Sequence, residues 1–336
     1  MLWFERLTGF REESPEQVRA SITLEGSKLK SLVNGKVLTW GELETPSLSE
    51  LRERALSVTG GYKGGQMSIR EVVADVQQLH SDKSSAGALF QVASQFNLLE
   101  MTGPNVTPER GVGIYENDHT QGPACAIAAG AGTIYRNYFV PVRGQRGQSS
   151  ENQIDCLADM GAALGNTDDH LWSMRNGYAW PTESGLEEIS KQILEASDVE
   201  LDRLRGLLRV GVQWETEVTL RNAGHTVTHA YCSALPVAYA RSLPTHLWTE
   251  FARLVLEAAY EATICTAILN LARTGNNKVF LTLLGGGAFG NQTEWIVGAI
   301  RRALDLYRHA ELNIAIVSYG ESKPYVRQLI SQFDLS

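Results

Sequence analysis

The composition is that of an ordinary globular protein. The chain has 336 residues, of which 43% are hydrophobic and 20% are charged, and its formal net charge is −8. This length allows one large domain with insertions or two small domains. The negative charge excludes general electrostatic attraction to nucleic acid or to an acidic membrane surface.

The cysteines and the N-terminus indicate the compartment. Cys125, Cys156, Cys232 and Cys265 are far apart and form no CxxC pair, so we expect reduced thiols that act as small hydrophobes. The first residues lack the basic and apolar regions of a secretory signal, and the small-residue run at 124–135 is too short to span a bilayer. We therefore expect a cytoplasmic protein without a membrane segment.

The first 80 residues look like an extension that precedes the main domain. The "VNGK" stretch predicts a hairpin turn between two strand-like runs. The glycine-rich segment Gly60–Gln66 predicts a flexible boundary. After it, "SIREVVADVQQLH" has Ser68 and Glu71 at capping-box spacing, which predicts an amphipathic helix.

The central part of the chain contains a strand, a long loop, a helix and an insertion. "GALFQVASQFNLLEM" predicts a buried strand that ends near Asn97. A long loop follows, and a helix rich in small residues is predicted to start at Asp118, with Gln121 at capping-box spacing. Residues 141–205 are irregular at first and then helical, and we interpret them as an insertion.

The second half alternates apolar strands with helices. The runs "VGVQWETEVTL", "HTVTHAYCSAL", "KVFLTLL" and "LNIAIVSYG" are typical of strands, and a long helical pattern follows the second of them. Fully apolar strands that alternate with helices predict a mostly parallel sheet covered on both faces. The fold class is therefore α/β with three layers, α/β/α.

A glycine triplet follows the strand "KVFLTLL". Gly285, Gly286 and Gly287 stand at the carboxyl end of that strand, where ligands bind in open α/β sheets. Amides without flanking Cβ atoms can surround an anion, and a helix N-terminus after the loop would add a favourable dipole. This predicts a phosphate or diphosphate site. The alternative is a tight strand-to-helix turn, for which one glycine would suffice. The loop matches neither a P-loop nor a GxGxxG fingerprint.

The order of these motifs resembles that of macrodomains. "VFLTLLGGGAFGN", "WIVGAIRRAL" and "LNIAIVSYG" resemble the C-terminal part of that family, and "VTHAYCSAL" and "FQVASQFNLLE" resemble two of its earlier strands. The resemblance covers residues 86–332 in outline. It implies a macrodomain-like mixed sheet with an N-terminal extension at 1–80, and a ligand that is ADP-ribose or an ADP-ribosylated substrate.

The resemblance also implies which segments contact the ligand. Asn97 and Phe289 would contact the distal ribose, the glycine loop would bind the diphosphate, and the end of the last strand would line the adenosine, while the residue that reads adenine stays unassigned. The residues that these segments supply are Asn97, Gly285, Gly286, Gly287, Ala288, Phe289, Gly290, Asn291, Ser318, Tyr319 and Gly320.

Hydrolysis of a glycosidic bond would need a carboxylate that activates water. The candidates in the predicted first loop are Glu100, Glu116 and Asp118, of which Asp118 could instead cap the helix. His119 and Gln121 could donate to phosphate or ribose, although His119 could also be an exposed loop residue. No set of His, Cys, Asp or Glu has metal-ligand spacing, so we expect no metal and no cofactor.

Three functions remain open at this point. The first is an ADP-ribosyl hydrolase. The second is a non-catalytic module that binds ADP-ribose or a related nucleotide. The third is an unrelated α/β hydrolase that acts on phosphorylated sugars. A carboxylate beside the distal ribose would favour the first, and the sequence leaves the modified target and the oligomeric state undetermined.

Overall fold

The computed structural model describes residues 2–59 and 65–335. Most of the predicted flexible boundary, residues 60–64, lies outside the described residues. The helices are α1 Trp3–Thr8, α2 Pro15–Ser21, α3 Leu48–Thr59, α4 Val76–Ser81, α5 Gln121–Ala128, α6 Gly130–Tyr138, α7 Ala158–Leu164, α8 Glu183–Glu195, α9 Asp198–Gly206, α10 Thr249–Thr274, α11 Thr293–Leu306 and α12 Pro324–Asp334. The strands are β1 Ile22–Glu25, β2 Lys28–Ser31, β3 Val37–Thr39, β4 Glu42–Glu44, β5 Ser68–Val73, β6 Leu89–Ala93, β7 Pro141–Val142, β8 Gln145–Arg146, β9 Trp172–Arg175, β10 Tyr178–Pro181, β11 Gly211–Glu217, β12 Thr226–Cys232, β13 Lys278–Leu281 and β14 Asn313–Ser318.

A seven-stranded mixed sheet organises the chain, in the order β4-β11-β12-β6-β13-β14-β5. The strands from β12 to β5 are parallel, whereas β11 is antiparallel to both of its neighbours. On β6, Gln91 donates to Thr263 of α10, and the ring of the preceding residue, Phe90, stacks on His80 of α4. Neighbouring strand residues point to opposite faces, so helices cover both faces. The predicted three-layer α/β fold is confirmed.

The predicted helix at Ser68 is wrong. Residues 68–73 form the edge strand β5, and all six pair with β14 in parallel register. The β-branched residues Ile69, Val72 and Val73 suit a strand, and the Ser68–Glu71 spacing was a coincidental match to a capping box. Helix α4 starts only after Asp75, whose carboxylate accepts the Gln77 N–H at 2.7 Å.

Two helix starts also differ from the prediction. The helix expected at Asp118 begins at Gln121 with Thr120 as its N-cap residue, and it breaks at Ala129 into α5 and α6. The glycine triplet does not lead directly into a helix, because α11 begins at Thr293.

The N-terminal extension shares a hydrophobic core with the main domain. Trp3, Phe4 and Leu7 of α1 are buried in one cluster with Ala131 and Ile134 of α6. Removing the extension would therefore expose apolar surface on α6.

The longest helix is the centre of the second layer. Residues 245–274, which include α10, are long and apolar enough to cross a membrane, but 89% of that apolar window is buried inside the fold. Burial of this extent is typical of the core helix of a globular domain.

A buried arginine joins the elements beneath the sheet's carboxyl edge. Arg136 of α6 has no exposure, and its Nε donates to the Leu98 carbonyl at 2.9 Å. One terminal nitrogen donates to Gln213 of β11 at 3.0 Å and to the hydroxyl of Tyr231 on β12. The other donates to Glu100 at 3.0 Å and to Thr133 at 3.3 Å. All five N–H groups thus have acceptors, as burial of a guanidinium requires.

We expect Arg136→Met to lower the free energy of unfolding by about 3–5 kcal/mol, because it leaves Glu100 buried without its cation. Urea unfolding at neutral pH measures this. Arg146→Met is the matched control, since Arg146 is exposed and lies over the Phe139 ring, and it should cost less than about 1 kcal/mol. Equal losses in both variants would contradict the role given to Arg136.

Candidate functional site

A cleft with two chambers lies at the carboxyl ends of the parallel strands. The inner chamber has a volume of about 150 Å3, and the outer chamber about 750 Å3. Six residues line both chambers, and we call the boundary that they form the constriction: Asp118, Thr120, Gln121, Thr282, Leu283 and Gly287. The glycine loop and the start of α5 therefore face the same space.

The glycines of the loop serve two different purposes. Gly285 has φ +74°, and a Cβ there would lie 2.5 Å from the Cβ of Ala234; Gly290 has φ +69°, and its Cβ would lie 2.7 Å from that of Ala238. These two are required by the turn itself. Gly287 has no positive φ, and nothing lies within 4 Å of its Cβ position. The turn therefore does not explain Gly287, which borders the cleft.

Backbone N–H groups from two elements line the constriction and the inner chamber. Those of Gly287, Ala288 and Phe289 donate to no group in the described chain, and the same holds for Gln121 and Gly122 in the first turn of α5. Successive free amides and a helix N-terminus both attract anions. The arrangement is thus suited to a bound phosphate or diphosphate.

The side chain of Gln121 anchors this helix start. Its Oε1 accepts the N–H of Ala93 and its Nε2 donates to the Gln91 carbonyl, both at 2.8 Å. Gln121 therefore joins α5 to the end of β6 and places backbone amides at the cleft, and one of its two Nε2 protons is used in doing so. The structure thus gives Gln121 a role in positioning, and its side-chain donor role toward a ligand stays a prediction.

Three aromatic rings line the inner chamber. The Tyr178 ring centroid lies 5.4 Å from that of Tyr239 and 5.3 Å from that of Phe289, and the other two are 5.7 Å apart. The Tyr178 hydroxyl donates to the Met101 carbonyl at 2.9 Å. Burial raises the pKa of Tyr178, and the neighbouring phenol of Tyr239 and the charge of Asp118 raise it further.

The outer chamber has charged residues on its walls. Its cations are Arg6 and Lys323, and no Lys or Arg lines the inner chamber in the described part of the chain. Asp75, which the sequence analysis missed, lies directly after the edge strand β5 and borders this chamber. A strand interpretation of residues 68–73 would have placed Asp75 at the sheet's carboxyl edge.

Glu100 borders the inner chamber, but its carboxylate is not exposed to it. Its side chain has no exposure and pairs with Arg136 at 3.0 Å, so the 2% exposure of the residue comes from its backbone. Burial raises the pKa of Glu100 to about 7, outweighing the opposing effect of Arg136. The carboxylate thus belongs to the network beneath the cleft.

Glu116 holds the N-terminal helix in place. Its carboxylate accepts the Trp3 N–H at 2.5 Å and pairs with Arg6 at 3.1 Å. All three residues border the outer chamber and not the inner one, so Glu116 fixes α1 as one wall of the outer chamber.

Asp118 lies between the two chambers. Its Oδ1 accepts the N–H of Thr120 at 2.9 Å and the hydroxyl of Thr120 at 2.7 Å. Its Oδ2 accepts no hydrogen bond within residues 2–59 and 65–335. Of the three predicted catalytic acids, Asp118 is therefore the one whose carboxylate can face a ligand in both chambers.

The other predicted residues divide into those at the cleft and those behind it. His119 and Tyr319 border the outer chamber, as does Gly286, and the inner chamber contains Gly285, Ala288 and Phe289. Five residues border neither chamber and are instead part of the supporting structure: Asn97, Gly290, Asn291, Ser318 and Gly320.

Hydrogen bonds explain why three of these five face away. Asn97 is buried, donates to Gln153 at 2.8 Å and accepts the Leu99 N–H at 3.0 Å. Asn291 donates to the Leu235 carbonyl at 2.8 Å, and Ser318 donates to Glu71 at 2.6 Å. The predicted strand was to end near Asn97, but β6 already ends at Ala93. Asn97 therefore lies four residues beyond the strand and not at its end.

Comparisons with known proteins give structural similarity at low identity. No family model and no curated protein matches the chain. Poly(ADP-ribose) glycohydrolase from Deinococcus radiodurans, in complex with ADP-ribose, is 11% identical with a TM-score of 0.45, over 87% of this chain and 94% of that one. The enzyme from Thermomonospora curvata is 12% identical with a TM-score of 0.46, over 94% and 95%. Similarities at this level do not identify the activity of this chain.

The pKa of Glu100 predicts a pH-dependent stability. On folding, this pKa rises from its ordinary value of 4.5 to about 7. Between pH 4.5 and 7, the folded state therefore retains a proton that the unfolded state releases. The stabilisation that the folded state gains from the protonated Glu100 is fully present below pH 4.5 and is lost as the pH rises through 7. Relative to Glu100→Gln, the wild type should lose at most about 1.4 kcal/mol per pH unit here. Urea unfolding of both proteins across this window measures it, and a wild-type advantage that grows with pH would refute it.

Proposed function

We propose that the cleft binds ADP-ribose or an ADP-ribosylated ligand and that the protein hydrolyses an ADP-ribosyl bond. The observation that carries this proposal is the set of five free backbone N–H groups, from the glycine loop and from the start of α5, whose residues line the constriction or the inner chamber. A diphosphate fits there, with one group attached on each side. The outer chamber suits the adenosine, and the distal ribose would lie at the mouth of the inner chamber.

The outer chamber suits the adenosine. Its volume of about 750 Å3 lies in the usual range for sites that enclose a drug-sized ligand. Ile296, Tyr319 and Tyr325 supply apolar surface for a base, and Asp75 supplies an acceptor for an exocyclic amino group. In the family that the sequence resembles, an acid at the end of the first strand reads adenine, and Asp75 has the corresponding place after β5.

The distal ribose would sit at the constriction, against the mouth of the inner chamber. Phe289 can pack on one side of it, as the sequence resemblance implies. Asp118 lines both chambers and is therefore also next to the ribose in this placement. Asp118 can then accept a proton from the water that attacks the anomeric carbon while the transition state acquires oxocarbenium character.

A non-catalytic binding module is the second candidate. It is favoured by the burial of Glu100 against Arg136, which leaves Asp118 as the one predicted acid with an unbonded oxygen at the constriction. A hydrolase of simple phosphorylated sugars would leave the outer chamber without a purpose, so it fits the cleft less well.

We expect micromolar binding of ADP-ribose in titration calorimetry, and much weaker binding of AMP and ribose 5-phosphate, which each carry only part of that ligand. Gly287→Glu should weaken ADP-ribose binding by about 100-fold, or about 2.7 kcal/mol, because it places an anion where the diphosphate sits. Its fold should persist, since the Cβ meets nothing within 4 Å.

Gly298→Glu is the matched control. Gly298 is exposed on α11, has an equally open Cβ position and borders neither chamber. It should bind ADP-ribose as the wild type does. Unchanged affinity in Gly287→Glu, or absence of ADP-ribose binding to the wild type, would remove the glycine loop from the proposed site.

We expect Asp118→Asn to lower kcat by about 10²–10⁴-fold, because it removes a proton acceptor without removing the acceptor atom that Thr120 needs. Chromatographic detection of ADP-ribose released from NAD+ and from ADP-ribosylated protein measures this, with calorimetry to verify that ADP-ribose affinity is retained. ADP-ribose binding without release of product by the wild type would instead support the binding module.

A further inference from the structure

We infer that the inner chamber accepts a planar, positively charged aglycone joined to the distal ribose through nitrogen. The substrate would then be a cationic N-glycoside of ADP-ribose. This inference rests on the proposed function, and it adds the chemical class of the group that leaves.

The size of the inner chamber limits it to one small group. Its volume is about 150 Å3, and an apolar cavity of about 150 Å3 holds a benzene-sized ring. With the ribose at the constriction, a single planar ring or a guanidinium fits beyond it. A polypeptide segment does not fit, so a protein-linked substrate could insert only one side chain.

The walls of the chamber favour a planar cation. Tyr178, Tyr239 and Phe289 form a cluster with ring centroids 5.3–5.7 Å apart. Cations are attracted to the faces of such rings, and planar groups also stack on them. Tyr239 and Phe289 are only partly buried, so their surfaces are accessible to a ligand.

The charges around the inner chamber also favour a cationic aglycone. Asp118 is the one acid that lines it with a partly exposed side chain, and none of the described residues that line it is Lys or Arg. The charge of Asp118 contributes to the raised pKa of Tyr178, so its field extends to the rings. A carboxylate that leaves from an ester would emerge beside Asp118 without a cation, which costs free energy.

The reaction balances without a co-reactant. Water adds its oxygen to the anomeric carbon, the bond from that carbon to nitrogen breaks, and the bonding pair stays on nitrogen. A pyridinium leaves as the neutral base and the water proton goes through Asp118 to solvent. A guanidinium that leaves as the neutral base takes up that proton. In each case Asp118 stabilises the positive charge that develops on the ribose.

Two sources supply this chemistry, the pyridinium of NAD+ and the guanidinium of an ADP-ribosylated arginine. We would measure kcat/KM for NAD+, for an arginine-linked ADP-ribosyl peptide and for an aspartate-ester-linked one. At least one N-linked substrate should exceed the ester by tenfold or more, and the preferred one identifies the source. An ester that is cleaved as fast as both would overturn the inference.

Tyr239→Leu tests the role of the rings. It should lower kcat/KM for the preferred N-linked substrate by about tenfold and leave the Kd of ADP-ribose, which has no aglycone, unchanged. Tyr239→Phe keeps the ring and should restore the rate. Tyr319→Leu, in the outer chamber, is the matched control and should weaken ADP-ribose and the N-linked substrate equally. A Tyr239→Leu variant that is unchanged, or that Tyr239→Phe does not rescue, would overturn the inference.

The outcomes separate this inference from the proposed function. A wild type that does not bind ADP-ribose refutes both. If the wild type binds ADP-ribose but cleaves none of the substrates, the affinities for NAD+ and for the arginine-linked peptide are compared with the affinity for ADP-ribose. Weaker binding of both N-linked compounds than of ADP-ribose would refute this inference and leave ADP-ribose binding standing.

Discussion

The buried guanidinium of Arg136 is the constraint on which the cleft depends. It ties α6 to Leu98 and Glu100 in the loop after β6, and to the strands β11 and β12. That loop continues into Met101 and Thr102, which line the inner chamber. A charge taken out of water at this depth is tolerated only with full hydrogen bonding. The elements it bonds can therefore not shift independently, and the floor of the inner chamber is fixed.

The same network reaches the outer chamber through two histidines. His80 Nδ1 donates to the Val76 carbonyl at 2.7 Å, so its Nε2 must accept from His229 Nε2, at 2.8 Å. His229 Nδ1 then accepts from Tyr231, at 2.8 Å, and the Tyr231 oxygen accepts from Arg136. Burial lowers the pKa of His80 to about 4 and that of His229 well below its usual value. Both rings are thus neutral, and one chain of hydrogen bonds fixes α4, which follows Asp75, relative to the inner chamber.

This arrangement explains how far sequence reasoning could go. Alternating apolar strands and helices specify the layers, because periodicity reports which residues are buried in each element. The edge strand β5 is half polar, so its hydrophobic period fitted a helix as well as a strand. Because the strand was missed, Asp75 at its end was missed as well. Glu100 and Asp118 look alike as loop acids. What separates them is Arg136, 36 residues beyond Glu100, and contacts of that range are set by tertiary packing and not by local pattern.

The glycines of the triplet differ in what the structure requires of them. Gly285 is needed because its backbone turns into the left-handed region beside Ala234, whereas Gly287 is open on the side of the cleft. In a protein of net charge −8, a dianionic ligand gains little from general attraction. Binding as proposed would then come from short-range dipoles, which the free amides of the loop and of α5 can supply without the desolvation cost of added lysines. In the proposed site, a diphosphate would lie beside these amides, while none of the described residues that line the inner chamber is lysine or arginine.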